Sequence, residues 1–237
     1  MTEWLMRTEM ALEGAENLKE KTVAIVGLGG VGGYVCEAVA RSGVGTIIAV
    51  DRDTVSVSNI NRQIIATTDT VGKAKSALWA ERIKTINPEC NVIPLELFYL
   101  PETREDLFKY KIDYIVDAVD TVTAKVDLIV EAKKRNIPII SSMGFGNKLD
   151  CSKIKICDIY ETSGCPLARV MRREMKKRSI SNLKVCFSTE EPLFPVFEDP
   201  EAENQRKKSP ASVAWIPSAA GLFIAGEVIM DLCKNPQ

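Results

Sequence analysis

The sequence predicts an α/β fold built on a Rossmann-like, doubly wound sheet whose parallel first half is extended by antiparallel strands. Two observations support this prediction. Short β-branched runs alternate with segments of helical periodicity over residues 1–146. A glycine-rich turn, Gly27-Leu28-Gly29-Gly30-Val31-Gly32, follows the first of these runs. Sheets of this kind bind ligands at the carboxyl ends of their strands.

The glycine turn belongs to a predicted β-α-β unit of about 30 residues. The unit comprises, in order, strand 22–26, the glycine turn, helix 31–42 and strand 46–50. Gly27, Gly29 and Gly32 fit the dinucleotide-binding fingerprint, and Asp51 follows about 20 residues later, where a ribose-binding acid is expected. Gly30 is an extra glycine that brings more backbone close to a ligand. The turn predicts a nucleotide phosphate at a helix N-terminus, with a purely structural tight turn as the alternative.

The later segments continue the alternation and then depart from it. Up to residue 146 the pattern predicts helices at 72–86 and 122–135 and strands at 90–97, 114–117 and 138–142. Beyond it, the pattern predicts strands at 153–160 and 183–188, a basic helix at 166–178 and an apolar helix at 217–232. Alternating apolar residues at 153–160 indicate the antiparallel extension. Prolines and mixed charge predict a mobile loop at 194–210.

Composition excludes several classes of chemistry. The 237 residues include no histidine, which excludes a histidine general base, Ser-His and Cys-His nucleophile pairs and histidine metal ligands. Seven scattered cysteines fit reduced thiols, and Cys151, Cys157 and Cys165 have poor zinc-finger spacing. The apolar stretch 219–230 is broken by glycines and a glutamate, so no membrane is expected as a partner. With no secretory signal visible, we expect a cytoplasmic location.

A dense polar block after the second strand distinguishes this chain from ordinary dinucleotide enzymes. It contains Asp51 and, further on, the two cations Arg62 and Lys75, which we expect at the phosphate end of a nucleotide whose ribose Asp51 holds. In nucleotidyl transfer, fixed cations and usually Mg²⁺ stabilise the charge that builds on the leaving pyrophosphate. Asp117 and Asp120 end a later strand, and either could hold that ion. For any single cation, a solvated surface charge is the alternative.

These residues resemble the adenylating domain of the ubiquitin-activating-enzyme superfamily. The resemblance covers about residues 4–146 and rests on the motifs Gly-x-Gly-Gly-x-Gly, Asp-x-Asp-x-Val-x-x-Ser-Asn-x-x-Arg-Gln, Lys75 and Asp117-Ala-Val-Asp120. It implies a homodimer in which Arg7 enters the neighbouring subunit's site, and it implies that Asp120 supports Mg²⁺. The implied catalytic residues are Arg7, Arg62, Lys75 and Asp120. The implied ATP-binding residues are Gly27, Gly29, Gly30, Gly32, Asp51, Asp53, Asn59, Arg62, Gln63 and Lys75.

The second half narrows the resemblance to one branch. Residues 162–174 and 185–192 are similar to the tRNA threonylcarbamoyladenosine dehydratase family, which implies ATP-dependent cyclisation of that modified adenosine next to the anticodon. Sulfur-carrier activators commonly have two Cys-x-x-Cys pairs, which this chain lacks. Adenylation of a sulfur carrier's C-terminus is the alternative, and a non-catalytic nucleotide sensor is a third. Whether a monovalent cation or a sulfur-transfer protein binds stays open.

The basic helix is the candidate tRNA contact. Six cations fall within ten residues, opposed by Glu174 alone, in a chain whose net charge is −1. Such a concentration favours a phosphate-binding patch over a merely solvated face. The proposed contacts are Arg169, Arg172, Arg173, Lys176 and Lys177.

For the organisation of the whole chain, we expect one domain over residues 1–237, with an ATP-binding half at 1–146 and a substrate and dimer half at 147–237.

Overall fold

One seven-stranded sheet forms the centre of the molecule. The computed structural model describes residues 3–194, 196 and 210–234. The strands are β1 (Thr22–Val26), β2 (Thr46–Val50), β3 (Asn91–Leu95), β4 (Tyr114–Asp117), β5 (Ile139–Ser142), β6 (Ile154–Asp158) and β7 (Lys184–Ser188). Their order across the sheet is β3-β2-β1-β4-β5-β7-β6. All seven strands predicted from the sequence are confirmed.

The sheet is parallel except at one edge. β1 pairs in parallel with β2 and with β4, and β7 pairs in parallel with β5. Among the strands of the described residues, only β6 is antiparallel, to β7, so the antiparallel extension there is a single strand. The chain passes from β1 to β2 on one side and returns to β4 on the other, which makes the carboxyl ends of β1 and β4 the topological switch point. β3 is the opposite edge strand and contains Pro94.

Helices cover both faces of the sheet. They are α1 (Met6–Ala11), α2 (Gly32–Arg41), α3 (Lys75–Ile86), α4 (Arg104–Phe108), α5 (Val122–Lys134), α6 (Pro166–Lys177) and α7 (Trp215–Lys234). The five predicted helices are present, and α1 and α4 are additional. Helix α3 begins three residues later than predicted because Gly72 has φ +85° and Ala74 is extended. Most of the loop predicted at 194–210 lies outside the described residues.

Alternate residues of β1 separate the two halves of the core. Val23 and Ile25 face the layer formed by α2, α3 and α7, where Trp79 is fully buried. Ala24 and Val26 face the opposite layer, which includes α5 and α6. This alternation follows from the two-residue period of a strand. Both faces of the strand are buried, as expected for a parallel sheet.

Helix α7 is longer than the predicted 217–232 and is mostly a core element. By length and composition alone it could cross a membrane, yet 56% of its apolar window is buried inside the protein. It packs along α2, where a side chain at Gly221 would meet the Val31 carbonyl oxygen at 2.5 Å. A helix buried in a protein core passes the same length and composition test, so this property is weak evidence for a membrane span.

Candidate nucleotide-binding site

A cavity of about 700 Å³ lies at the carboxyl ends of the central strands. Its walls are the glycine turn after β1, the polar block after β2, the turns after β4 and β5, and residues of the 210–217 segment. Strands β2 and β5 are separated by β1 and β4. The wall after β2 and the wall after β5 are therefore about 14 Å apart, at roughly 4.8 Å between neighbouring strands. The cavity therefore extends across four neighbouring strands of the sheet.

The backbone of the glycine turn cannot accept side chains at its two ends. Gly27 has φ +93°, and a Cβ there would lie 2.6 Å from the Ala118 carbonyl oxygen. A Cβ on Gly32 would lie 1.8 Å from the Gly27 carbonyl oxygen. These constraints bring the N-terminus of α2 to the cavity, where the N-cap residue Val31 provides no side-chain hydrogen bond. The first amides of α2 and the helix dipole therefore favour an anion here.

Asp51 is tied to the glycine turn. Its Oδ2 accepts a hydrogen bond from the Leu28 amide at 2.8 Å, and its Oδ1 accepts one from the Asp53 amide at 2.8 Å. The carboxylate is thus fixed beside the turn at the end of β2, the position of a ribose-binding acid in such folds. Asp53 lines the same cavity and forms an ion pair with Lys75, with 3.3 Å between Oδ2 and Nζ.

The two predicted cations both line the cavity. Lys75 is the first residue of α3, and its side chain is 6% exposed whereas that of its partner Asp53 is 59% exposed. Arg62 donates hydrogen bonds to the Ser58 carbonyl at 2.7 Å and to Asn61 Oδ1 at 2.8 Å. Partial burial lowers the pKa of the Arg62 guanidinium from its usual value. Both cations thus line one cavity together with the glycine turn and Asp51.

Asn59 and Gln63 hold the loop that presents Arg62. Asn59 is buried, and its Oδ1 accepts a hydrogen bond from the Ser56 amide at 3.2 Å, while its carbonyl accepts one from the Gln63 amide at 2.9 Å. Both residues line the cavity. Gln63 Oε1 is buried without a hydrogen-bond partner among the described residues, and its Nε2 lies over Gly29, 3.7 Å from where a Cβ on that glycine would be.

The structure gives the two acids at the end of β4 different surroundings. Asp120 is exposed on the cavity wall, where Thr121 Oγ1 donates to its Oδ1 at 3.3 Å. Asp117 is fully buried and forms an ion pair with Lys125 at 3.0 Å. Among the described residues, no group of three or more Cys, Asp or Glu side chains could hold a metal by itself. Mg²⁺ is usually bound by one or two carboxylates plus phosphate oxygens, and the exposed carboxylate of Asp120 on the cavity wall fits that mode of binding.

Arg7 lies away from the cavity of its own subunit. Leu5, just before α1, packs against Gly43, which follows the far end of α2. Helix α2 has 10 residues, so its two ends are about 15 Å apart. Arg7 is exposed and is not among the described residues that line the cavity. Its predicted role therefore needs a second subunit.

The predicted basic residues on α6 differ in whether their side chains have a hydrogen-bond or ion-pair partner. The helix starts at the cavity wall, where Leu167 lines the site. Arg172 donates to the carbonyl and hydroxyl of Thr162, and Lys177 and Arg178 both pair with Glu174. Lys176 lies 5.9 Å from the centroid of the Tyr160 ring. The side chains of Arg169 and Arg173 are exposed and have no ionic or hydrogen-bond partner in the described part of the chain.

Several cavity residues were missed by the sequence reasoning. The Arg52 guanidinium lies over the Phe98 ring, 3.7 Å from its centroid, and both residues line the end of the cavity near Asp51. Gly144 and Leu167 line the opposite end. The signal available for Phe98 was its place after a predicted strand, where a sheet of this class presents ligand contacts.

Comparison with known proteins identifies the family of this site. The ThiF family model matches residues 4–237, nearly the whole chain. The chain belongs to the ThiF family. The resemblance predicted from the motifs is thereby confirmed, and the ThiF match extends through the basic helix and α7.

Two relatives make the comparison more specific. A Bacillus subtilis protein named tRNA threonylcarbamoyladenosine dehydratase is 46% identical over 240 residues, covering 97% of this chain and 94% of the relative. The crystal structure of Escherichia coli tRNA N6-threonylcarbamoyladenosine dehydratase, TcdA, matches with a TM-score of 0.85 at 29% identity, covering 98% and 94% of the two chains. The structure of that protein in complex with ATP matches with a TM-score of 0.81 at 31% identity, covering 93% and 88%. The predicted Rossmann-like fold is confirmed.

The residues of this ThiF-family site fit ATP. Gly29 and Gln63 both line the cavity, and a Cβ built on Gly29 would lie 3.7 Å from Gln63 Nε2. Two cations, Arg62 and Lys75, line the same cavity as the turn and Asp51. Together they offer a phosphate cradle, charge neutralisation and a ribose acceptor.

Proposed function

We propose that this protein is an ATP-dependent enzyme that adenylates the carboxylate of threonylcarbamoyladenosine next to the anticodon of tRNA, so that the modification cyclises with loss of water. The observation that carries this proposal is the 46% identity, over 97% of the chain, to a relative named for that reaction. The cavity supports it because the glycine turn, Asp51 and two cations surround one space. Adenylation of a carboxylate requires this combination of groups.

The proposed chemistry proceeds in two displacements. A carboxylate oxygen of the threonyl group attacks the α-phosphorus of ATP, the bond from that phosphorus to the bridging oxygen breaks, and pyrophosphate leaves. Lys75 and Arg62 stabilise the charge on the leaving oxygens. Mg²⁺ held at Asp120 would supply further charge neutralisation. The carbamoyl nitrogen or oxygen then attacks the activated carbonyl, AMP departs with one former carboxylate oxygen, and a carbamoyl N–H proton passes to solvent in either case.

An intramolecular nucleophile suits a chain without histidine. The carbamoyl group is attached to the same threonyl unit as the activated carbonyl, so ring closure has the advantage of high effective concentration. No cysteine or histidine nucleophile is needed. The wall formed by Gly144 and Leu167, beyond the phosphate end, is the place for the threonyl group.

The proposed homodimer uses the exposed face of α7. Trp215, Leu222, Phe223 and Met230 share this face and are each 40–52% exposed. At roughly 200 Å² for a large side chain, they present about 400 Å² of apolar surface, half of the ~800 Å² that each partner contributes to a standard interface. The largest apolar patch of a typical monomer has about this size and is often functional, which supports the use of this face as an interface.

A two-fold axis across α7 would be compatible with the proposed action of Arg7 in the neighbouring subunit. The N-terminal end of α7 touches the cavity at Pro217, whereas a side chain at Gly14 would meet the Cys233 carbonyl at its other end. In a two-fold dimer with antiparallel α7 helices, the far end of one helix lies beside the near end of the other. The partner subunit's Arg7 would then lie close to the cavity, as its proposed catalytic role requires.

The proposed tRNA contact extends from the cavity along α6. Arg169, Arg173 and Lys176 project into solvent from a helix that begins at the substrate end of the site. Arg172 and Lys177 support the same patch, although they also hold Thr162 and Glu174. We expect the enzyme to meet tRNA in the cytoplasm.

Pyrophosphate release tests the proposal directly. The purified protein is given ATP and Mg²⁺ with tRNA that bears threonylcarbamoyladenosine, with the same tRNA lacking the modification, or with a sulfur-carrier protein ending in Gly-Gly. We expect release, and loss of 18 mass units from the nucleoside (the mass of water), only with the modified tRNA. Release with the carrier protein alone would refute the proposal in favour of sulfur-carrier activation. Nucleotide binding without release from any substrate would indicate a sensor.

A further inference from the structure

A fully buried ion pair lies directly beneath the turn that carries Asp120. Asp117, the last residue of β4, and Lys125, in the second turn of α5, both have 0% side-chain exposure. Lys125 Nζ donates to Asp117 Oδ1 and Oδ2, each at 3.0 Å, and to the Val119 carbonyl oxygen at 2.9 Å. All three ammonium protons therefore have an acceptor.

The carboxylate of the pair is equally well satisfied. Ser141 Oγ on β5 donates to Asp117 Oδ2, and the Val119 amide donates to Asp117 Oδ1 at 3.3 Å. Val119 is thus held through its N–H by Asp117 and through its C=O by Lys125. On its other side the turn abuts Gly27, where a Cβ would meet the Ala118 carbonyl oxygen at 2.6 Å. The turn is held from both sides, and the next residue is Asp120.

Stability alone does not explain why such a pair is buried. Removing two charges from water carries a desolvation cost that their attraction often fails to exceed, and apolar replacements of similar volume are frequently neutral or stabilising. A fully satisfied polar network instead fixes one geometry of the groups it touches. Here the group that it touches is the backbone of the Asp120 turn.

We propose that Lys125, together with Asp117, is a positioning residue that fixes the 118–121 turn so that Asp120 faces Mg²⁺ and the ATP phosphates. This inference rests on the proposed function. It assigns a task to the first acid of the Asp117-Ala-Val-Asp120 motif, which is too buried to reach a metal ion. Asp120 contacts the metal, and the buried pair acts only through it.

The test uses a neutral replacement of the whole pair. Changing Lys125→Met alone leaves an uncompensated buried carboxylate and threatens folding. The double variant Asp117→Asn/Lys125→Met removes both charges together and leaves the net charge unchanged. A matched control, Glu37→Gln/Arg82→Met, removes another ion pair, in which Arg82 Nε lies 2.6 Å from Glu37 Oε2, between α2 and α3.

Calorimetric ATP binding is measured across a Mg²⁺ titration, with thermal melting of each protein. We expect the Mg²⁺ concentration that gives half of the full effect of Mg²⁺ on ATP affinity to rise about tenfold or more in the Asp117/Lys125 variant. A change of this size is typical when a residue that orients a metal ligand is lost. Binding of ATP without Mg²⁺ and the melting temperature should match the control variant. Hydrogen exchange at the amides of residues 118–121 should accelerate.

Two results would overturn the inference. One is an unchanged Mg²⁺ dependence in the folded Asp117/Lys125 variant. The other is a melting temperature well below that of the control variant, which would make the pair a stability element. Failure of the parent protein to bind ATP with Mg²⁺ would instead count against the proposed function.

Discussion

Neutralising free cations on α6 should weaken tRNA binding far more than neutralising paired ones. The test variant is Arg169→Gln/Arg173→Gln, which removes two guanidinium groups that have no partner among the described residues. The matched control is Lys177→Gln/Arg178→Gln on the same helix, whose side chains both bind Glu174 at 2.6 Å. Each variant removes two positive charges, so any difference between them reports local contacts and not net charge.

The expected magnitude follows from counterion release. Each phosphate contact contributes about 0.7 to 0.9 to the slope of log affinity against log salt, so two lost contacts flatten the slope by about 1.4 to 1.8. Between 50 and 200 mM salt, the parent protein should therefore lose about tenfold more affinity than the Arg169/Arg173 variant. The Lys177/Arg178 variant should lose at most about one contact, that of Lys177, because both cations share the Glu174 carboxylate, which already neutralises one of the two charges.

Fluorescence titration of labelled tRNA at four salt concentrations measures these slopes, and ATP affinity is measured in parallel. ATP affinity should be unchanged in both variants because Arg169 and Arg173 do not line the nucleotide cavity in the described structure. Equal slopes for the two variants would refute the assignment of phosphate contacts. Parent-like binding and cyclisation by the Arg169/Arg173 variant would show that α6 is only a solvated face.

Four further predictions concern the cavity and the dimer. Lys75→Ala should lower pyrophosphate release about 10²- to 10³-fold with the fold retained. Lys73→Ala, at an exposed neighbouring residue, should leave release unchanged. Near-parental release by Lys75→Ala would refute the assignment of Lys75 to the phosphates. Gly144→Val should raise the KM for tRNA without changing ATP affinity. A Cβ at this position would have its nearest neighbouring atoms at 3.8 Å, so the valine side chain fits and would extend into the substrate end of the cavity. Equal effects on tRNA and ATP would contradict this. Phe223→Glu should give monomers in light scattering and little activity, and an active dimer would exclude the α7 interface. Arg7→Ala and Lys75→Ala subunits, each inactive, should regain activity when mixed, and no recovery despite subunit exchange would exclude action in trans.

The strands were predictable because burial on both faces leaves a clear compositional trace. Each central strand is a short apolar run, as Thr46–Val50 illustrates with four of its five residues buried. The short helix α1 was not predicted because its six residues show no buried face. Helix propensity in so short a segment is weak, and packing against neighbouring elements decides whether it forms.

Only part of the site could be predicted from sequence. The glycine turn and Asp51 follow a fixed local spacing, so the motif located them. The contact between Arg52 and Phe98 depends on the pairing of β2 with β3, which aligns Val50 with Leu95. Gly144 enters the cavity only because β5 lies beside β4. Such contacts are set by the sheet order, which local periodicity does not specify.

Charged residues near the switch point were the hardest to interpret. Sequence alone gave Asp117 and Asp120 the same possible role, since both end a strand. The structure distinguishes them because Lys125, eight residues after Asp117, reaches back from α5 and neutralises it. A lysine in a helix is usually expected at the surface, so composition offered no sign of this burial.

The proline in β3 has a consequence for how copies of this chain can aggregate. An edge strand presents unpaired N–H and C=O groups that can template a further strand from another molecule, and proline interrupts that row because it has no N–H. Pro94 occupies the fourth of five positions in β3, so only a short stretch of uninterrupted backbone remains at this margin. Strand-by-strand polymerisation is therefore disfavoured at the β3 margin, even when proteins are crowded or newly synthesised.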